Sequence, residues 1–287
     1  MFKTERIERL VECVLWSGFV KDDVPLSLML ISEPESAKTS ILRNFECDGV
    51  ISTMDISPKV ITGTLIPKIQ YNNVHHLIIP DLLKVLAHKQ LTVQTTILFF
   101  NAMMEEGVKD GMFFGQEFHV DGDVTLHCGL ITSVTKEYFY RMFKRWHDIG
   151  FTSRFIPVSY AYSPGTIREI HSQIQMGVNN YLVKNIKRPS EDRILVSIPD
   201  DITAYISVQS QELAEKESKF ELRVRRGTTY QVMHVDKVAG FRLHRQFKQL
   251  LRSMALSKGK VVVDWADVEE FKIMLEYITL PNDPKVI

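Results

Sequence analysis

The chain has 287 residues, and its 35 basic and 35 acidic side chains give a formal net charge of zero. Hydrophobic residues make up 45% of the chain, which is ample for a large buried core. The balanced charge excludes attraction to nucleic acid through overall charge and leaves only a local basic patch open.

The three cysteines, Cys13, Cys47 and Cys128, are scattered without the spacing of metal ligands, which favours free thiols in a reducing compartment. The N-terminal stretch MFKTERIERLVECVLW is charged and amphipathic, and it lacks the apolar core of a signal peptide. No uncharged apolar run approaches the length of a membrane span. We therefore expect a cytoplasmic protein that does not act at a membrane.

Apolar runs and amphipathic stretches alternate along the first part of the chain. Short apolar runs predict strands at residues 28–31, 49–55, 74–80, 128–134 and 154–162. Helical patterns lie between most of these runs, so residues 1–162 are predicted to form an α/β layer with a mainly parallel sheet. The pattern after residue 163 is mostly helical, and Asp264 is a candidate N-cap there. Residues 163–287 are therefore predicted to form a smaller, mostly helical second domain.

The segment SEPESAKTS, residues 32–40, lies between a predicted strand and a predicted helix. A loop of the form G-x-x-x-x-G-K-[ST] in this position cradles phosphates with its backbone N–H groups, and its hydroxyl holds Mg²⁺. Lys38 and Thr39 fill the last two positions, whereas Ser32 and Ala37 replace the glycines. The candidate nucleotide-binding residues are Glu33, Pro34, Glu35, Ser36, Ala37, Lys38, Thr39 and Ser40. The alternative is a polar turn that contains Lys-Thr without binding phosphate.

Asp81 follows the apolar run LIIP directly and precedes a predicted helix. A metal-bound nucleotide needs an acidic residue at the carboxyl end of a neighbouring strand. Such sites usually carry two adjacent acids, but the pair here is Pro80 and Asp81, so one acid is missing. Asp81 is therefore the candidate carboxylate for Mg²⁺ or for an attacking water, with Thr39 as a further metal ligand. The alternative is that Asp81 only caps the helix.

Two further candidates follow later in the chain. Thr132 and Ser133 lie in the polar strand GLITSVT and are candidates for contact with an attacking water or a γ-phosphate. Arg154 precedes the apolar strand that begins at Phe155. Each has a plain alternative, because threonine is common in strands and arginine is common on surfaces.

The order and spacing of these segments resemble the AAA+ ATPase family, with the branch of minichromosome-maintenance helicases and MoxR-type chaperones as the nearest. The matching segments are SEPESAKTS for the phosphate loop, LIIPDLLK for the magnesium strand, GLITSVT for the sensor strand, TSRF for the arginine-finger segment, and HRQFKQLLRSMAL with VVVDWADV for the lid helices. Arg245 and Arg252 show the seven-residue spacing of two lid arginines in that branch. The resemblance runs from Leu28 to the C-terminal helix.

This resemblance implies a three-layer αβα domain followed by a helical lid, with ATP and Mg²⁺ as cofactors. It assigns Lys38 to the β- and γ-phosphates, Thr39 and Asp81 to the metal or the attacking water, and Thr132 or Ser133 to the γ-phosphate. The departures from the family are Ser32 and Pro80 in place of a glycine and an acid, together with the negative charge of Glu35 in the loop.

The resemblance also implies a hexameric ring, because Arg154 would act on the nucleotide of a neighbouring subunit. Arg245 would close the lid on the nucleotide of its own chain or reach across to a neighbour. Basic groups that could meet DNA are Arg141, Lys144, Arg145 and Arg223–Arg226, whose alternative is an ordinary solvated face. The expected function is an ATP-hydrolysing ring that remodels DNA or moves on it. The alternatives are a MoxR-like chaperone ATPase that acts on protein partners and a nucleotide-binding subunit that does not hydrolyse ATP.

Overall fold

The structure, a computed structural model, describes residues 4–113, 115–176, 183–190, 193–218, 221–226, 229–234, 240–281 and 284–287. The helices are α1 (Glu5–Trp16), α2 (Lys38–Arg43), α3 (Pro58–Val60), α4 (Ile66–Tyr71), α5 (Leu82–Leu86), α6 (Gln90–Met104), α7 (Lys136–Asp148), α8 (Pro164–Gln175), α9 (Asp200–Ser218), α10 (Phe241–Ser257) and α11 (Trp265–Leu275). A π-helical turn, Ile61–Leu65, joins α3 to α4, and 3-10 turns lie at Ser17–Phe19 and Thr152–Arg154. None of the described helices has both the length and the apolar composition needed to cross a bilayer.

The strands are β1 (Ser27–Ser32), β2 (Phe45–Cys47), β3 (Val50–Ser52), β4 (His76–Ile79), β5 (Gly111–Phe113), β6 (Gln116–Phe118), β7 (Gly129–Thr135), β8 (Phe155–Ala161), β9 (Lys184–Ile186), β10 (Glu221–Arg226), β11 (Thr229–His234) and β12 (Lys285–Val286). Among the described residues, six of them form one sheet in the order β12-β8-β1-β7-β4-β3, and all neighbouring pairs are parallel. β7 therefore lies between β1, which leads into the lysine-containing loop, and β4, which leads into Asp81.

Both faces of this sheet are buried, as the uninterrupted apolar run of β1 predicts. Successive side chains of a strand point to opposite faces. Leu28 and Leu30 pack with α1, α10 and α11 on one face, whereas Met29 and Ile31 pack with α6 and α7 on the other. The result is a three-layer αβα arrangement around a parallel sheet, followed by a mostly helical part. This confirms the predicted α/β fold class with a mainly parallel sheet and a mostly helical part after it.

Some elements after residue 163 differ from the helical expectation. The antiparallel pair β10–β11 lies in that part, and β12 extends the main sheet beside β8. Residues of α1 and α10 also share one hydrophobic cluster. The division of the chain into domains at residues 162 and 163 stays a prediction.

Candidate functional site

The loop between β1 and α2 connects the central strand of the sheet to a short helix. β1 ends at Ser32, and α2 begins at Lys38 and has only six residues. Ala37 stands at the position of the second glycine, and its backbone is left-handed with a φ of 63°; Glu35 is left-handed as well, with a φ of 61°. A residue other than glycine in this left-handed conformation costs about 1–2 kcal/mol. The loop therefore adopts a glycine-type shape, and other contacts must offset the strain.

The Lys38 ammonium group lies inside this loop. Nζ donates to the backbone oxygen of Ser32 over 3.0 Å, to that of Glu33 over 2.6 Å and to Oγ of Ser36 over 3.0 Å. These three bonds match the three donors of an ammonium group. Lys38 is only 8% exposed. Burial lowers the pKa of Lys38 to about 8, against the opposing effect of the Glu33 and Asp81 carboxylates, so the group stays mainly protonated at pH 7.

Ser36 links the loop to a neighbouring strand. Its hydroxyl donates to the backbone oxygen of Glu33 over 2.6 Å and forms a hydrogen bond with the hydroxyl of Ser32. Its own carbonyl accepts the hydroxyls of Tyr160, over 2.6 Å, and Tyr162, over 3.1 Å. Burial raises the pKa of Tyr160, so this hydroxyl stays a donor. We call the two tyrosines the tyrosine clamp, because they fix the loop to β8.

Asp81 caps helix α5, which is compatible with a cap alone and with a cap that also serves a metal or water. One carboxylate oxygen accepts the backbone N–H of Leu83 over 3.0 Å, and the side chain is half-buried. The same carboxylate acts electrostatically on Lys38 by opposing the fall of its pKa. A carboxylate has acceptor capacity beyond one N–H, so the cap and a contact with metal or water are compatible. The catalytic role of Asp81 stays a prediction.

Thr132 and Ser133 lie inside β7 and not at its exposed end. The Thr132 hydroxyl donates to the backbone oxygen of Ile79 over 2.7 Å, and the Ser133 hydroxyl donates to that of Pro80 over 2.6 Å. Both side chains are buried. Each hydroxyl has one hydrogen, and here it is used to tie β7 to the end of β4. A donated bond to a γ-phosphate would have to replace one of these backbone bonds.

Arg154 lies at the other end of the sheet, within a cluster of charged side chains. Its guanidinium group donates to the backbone oxygens of Asn101, over 3.1 Å, and Gly150, over 2.6 Å. It also contacts the carboxylates of Glu105, over 3.1 Å, and Glu106, over 2.8 Å. The Arg154 side chain is only 11% exposed, so it is anchored in its own chain.

Two arginines of α10 complete the cluster around Glu105. Arg242 makes two hydrogen bonds to that carboxylate, over 2.9 and 2.8 Å, and Arg245 makes one over 3.1 Å. Electrostatic contacts with these arginines and Arg154 lower the pKa of Glu105, although burial opposes them. The Arg245 side chain is 53% exposed, far more than that of Arg154. Arg245 is therefore the most accessible of the three arginines, followed by Arg242 with 36% of its side chain exposed.

The loop lies at the carboxyl ends of the parallel strands, called here the carboxyl edge of the sheet. The arginine cluster lies at their amino ends, called here the amino edge. Ser27, the first residue of β1, lines the pocket beside the three arginines, and Ser32, the last residue, begins the loop. Five steps of about 3.3 Å separate these residues by about 17 Å. In this conformation Arg245 therefore does not reach the loop of its own chain.

The basic residues of α7 form an exposed face. Arg141, Lys144 and Arg145 are all exposed, and Arg141 pairs with Glu137 over 3.1 Å. Such exposure is what an ordinary solvated helix face would show, and it also leaves these groups accessible to DNA. The side chains of Arg223–Arg226 lie outside the described residues.

No protein family and no curated protein matches the chain in sequence. Among solved structures, one that matches is a "putative ATPase" from Cytophaga hutchinsonii ATCC 33406, with 13% identity and a TM-score of 0.44. The match covers 99% of this chain and 82% of that one.

The left-handed conformation of Ala37 leads to a stability prediction. Ala37→Gly should raise the free energy of unfolding by about 0.5–1 kcal/mol, because relief of the backbone strain exceeds the added entropy of the unfolded chain. Ala87 is an exposed residue with right-handed backbone at the end of α5. Ala87→Gly, the matched control, should lower the free energy by about 0.5–1 kcal/mol. Urea denaturation measures both, and a loss of equal size in the two variants would contradict the strain at Ala37.

Proposed function

We propose that this chain binds ATP together with Mg²⁺ at the loop between β1 and α2. The observation that carries the proposal is that Lys38 and Asp81 follow the carboxyl ends of β1 and β4, two strands of one parallel sheet, so both lie on the same side of it. Ligands of open α/β sheets bind at this edge. β4 lies two strands from β1, which corresponds to about 10 Å in the sheet.

The side chains at this edge fit the two parts of the ligand. Lys38 is a buried cation whose present partners are three neutral oxygens, and phosphate oxygens would be stronger acceptors for it. Thr39 and Asp81 offer a hydroxyl and a carboxylate, the hard oxygen ligands that Mg²⁺ prefers. Thr39 follows Lys38 directly in the first turn of α2. The metal would neutralise charge on the phosphates, which Glu33 and Glu35 otherwise repel.

The proposal extends to hydrolysis of the bound ATP. Asp81 is the one acid of the Pro80-Asp81 pair, so it would have to serve metal and water alike. The hydrogens of Thr132 and Ser133 are bonded to backbone oxygens, which favours slow turnover. These two observations support the alternative of a nucleotide-binding subunit without hydrolysis. Turnover per subunit at saturating ATP decides between the two.

Assembly into a head-to-tail ring is a further part of the proposal. The arginine cluster lies at the amino edge of the sheet and the loop at the carboxyl edge, so an arginine and a loop could cooperate only between two copies. A heterologous interface of this kind gives a ring when its rotation closes, and six subunits are expected from the AAA+ resemblance. Sedimentation with and without ATP tests this, and a monomer under both conditions would contradict it.

Two classes of partner are proposed for such an assembly, DNA and protein. The exposed basic face of α7 favours DNA, whereas a MoxR-like chaperone would act on a protein. Retention on single-stranded DNA that falls steeply with salt would support the first class. If the chain does not bind single-stranded DNA at any salt concentration, a protein partner remains as the proposal.

Lys38→Met should lower the affinity for Mg-ATP by about tenfold to a hundredfold, because the charged hydrogen bonds to the phosphates are lost. Methionine keeps the buried aliphatic stem of the side chain. Lys84→Met is the matched control, since Lys84 is an exposed lysine on α5. Calorimetric titration measures both. Equal affinities of the wild type and Lys38→Met would remove the phosphate-loop interpretation.

Asp81→Asn should leave the cap of α5 intact, because asparagine caps helices as well as aspartate does. The variant should nevertheless lose the Mg²⁺ dependence of ATP binding and slow any hydrolysis by about a hundredfold. Nucleotide titration with and without Mg²⁺ provides a readout even if the wild type turns over slowly. An unchanged Mg²⁺ dependence in the folded variant would reduce Asp81 to a helix cap.

A further inference from the structure

Lys136 is a second cation at the carboxyl edge of the sheet, and the site described above does not use it. β7 runs parallel to β1, and the last pair of their register joins Thr135 to Ser32. Lys136 and Glu33 are the next residues of these two segments, so they leave the sheet side by side. Neighbouring strands lie about 4.8 Å apart, and a lysine side chain is long enough to cross that gap.

The Lys136 ammonium group reaches the loop between β1 and α2. Its Nζ lies 3.7 Å from Oε1 of Glu33 and 6.0 Å from the centre of the Tyr140 ring. The distance to Glu33 is longer than that of an ordinary N–H···O hydrogen bond. The two side chains are 31% and 62% exposed, and exposed ion pairs contribute little to stability. Lys136 can therefore exchange Glu33 for a phosphate oxygen, with which an ammonium group forms short, strong hydrogen bonds.

The place of β7 in the sheet decides which phosphate Lys136 could meet. β7 lies between β1, which leads into the loop of Lys38, and β4, which leads into Asp81. A bound triphosphate would begin at the loop, and the proposed function places Mg²⁺ and the attacking water at Asp81. The phosphate between the loop and Asp81, beside the end of β7, is then the terminal one, because hydrolysis takes place at that group.

The hydroxyl groups of β7 leave the recognition of this phosphate to another side chain. The hydrogens of Thr132 and Ser133 are bonded to the backbone oxygens of Ile79 and Pro80. Lys136 follows on the same segment and offers three donors on one ammonium group. Its positive charge also complements the terminal phosphate, which neither hydroxyl does.

We propose that Lys136 binds the terminal phosphate of ATP and thereby lets the site distinguish ATP from ADP. In the free chain Glu33 holds the ammonium group beside the loop, and the terminal phosphate replaces Glu33 when ATP binds. This inference rests on the proposed binding of ATP and adds a residue that determines its nucleotide specificity. Lys38 then serves both nucleotides, whereas Lys136 serves the triphosphate alone.

The test compares Mg-ATP with Mg-ADP in calorimetric titrations of the full chain. Lys136→Met keeps the aliphatic stem and should weaken binding of ATP by about tenfold to a hundredfold, because the charged hydrogen bonds to the terminal phosphate are lost. Its affinity for ADP should stay that of the wild type. Lys136→Arg keeps the charge and should retain most of the preference for ATP. Lys38→Met should instead weaken the binding of both nucleotides.

Lys272→Met is the matched control. Lys272 lies on α11, where it pairs with Glu269 over 2.6 Å and lies 5.4 Å from the centre of the Tyr205 ring. It therefore repeats the surroundings of Lys136, a glutamate and a tyrosine ring, on an element that does not form the loop. This variant should bind both nucleotides as the wild type does.

Glu33→Gln is a second, independent variant. It frees Lys136 from its carboxylate and removes a negative charge beside the terminal phosphate. Binding of ATP should tighten by about twofold to fivefold, and binding of ADP should tighten less. If Lys136→Met does not fold, as judged from its melting temperature, Glu33→Gln provides the comparison of the two nucleotides.

Two results would overturn this inference and leave the ATP proposal intact. The first is a ratio of ATP to ADP affinity that is the same in the wild type and in folded Lys136→Met. The second is an equal loss of affinity for ATP and ADP in that variant, because Lys136 would then act on every nucleotide alike. A wild-type chain that binds neither nucleotide would overturn both proposals, so the two failures are distinguishable.

Discussion

The hydrogen bonds from Tyr160 and Tyr162 to the carbonyl of Ser36 are the contacts on which the shape of the loop depends. A phosphate loop ordinarily obtains this shape from glycines, which tolerate left-handed backbone. Here Glu35 and Ala37 adopt it at a cost of about 1–2 kcal/mol each. Each buried hydrogen bond to the loop returns about 1 kcal/mol. The tyrosine clamp, the serine pair and the three bonds of Lys38 together are therefore of the right size to hold the loop without glycine.

The second constraint is the direction of the parallel strands. Because every neighbouring pair of the six-stranded sheet is parallel within the described residues, each edge collects a different set of side chains. Lys38 and Asp81 lie at the carboxyl edge, whereas Arg154 and Arg245 lie at the amino edge. The length of β1 keeps the two sets apart in one molecule, so their joint action requires two copies. Arg245 could therefore act on a bound nucleotide only if that nucleotide belongs to another copy of the chain.

Local patterns in the sequence predict much of this architecture. The run from Leu28 to Ile31 is apolar on both faces, and it is indeed the central strand with a layer on each side. Asp81 precedes LLKVL as a helix cap does, and it caps α5. Gly150 ends α7 with positive φ, as its place after HDI indicates. In each case the residues within a few positions determine the result.

Contacts between distant residues could not be predicted in this way. Tyr160 and Ser36 are 124 positions apart, and nothing in SYAY indicates that its hydroxyls hold a loop on another strand. The backbone bonds of Thr132 and Ser133 and the gathering of three arginines on Glu105 have the same origin, because they depend on which strands become neighbours. The alternation of small and aromatic residues in SYAY, at the end of the strand beside β1, is the one local signal for the clamp.

The most direct test of the account is a crystal structure of the chain with Mg²⁺ and a non-hydrolysable ATP analogue. The account predicts that Lys38 Nζ exchanges its bond to the Glu33 carbonyl for one to a phosphate oxygen, while the Tyr160 hydroxyl stays on the carbonyl of Ser36. A structure grown at saturating analogue in which Lys38 keeps all three loop bonds and no phosphate lies at the loop would contradict it.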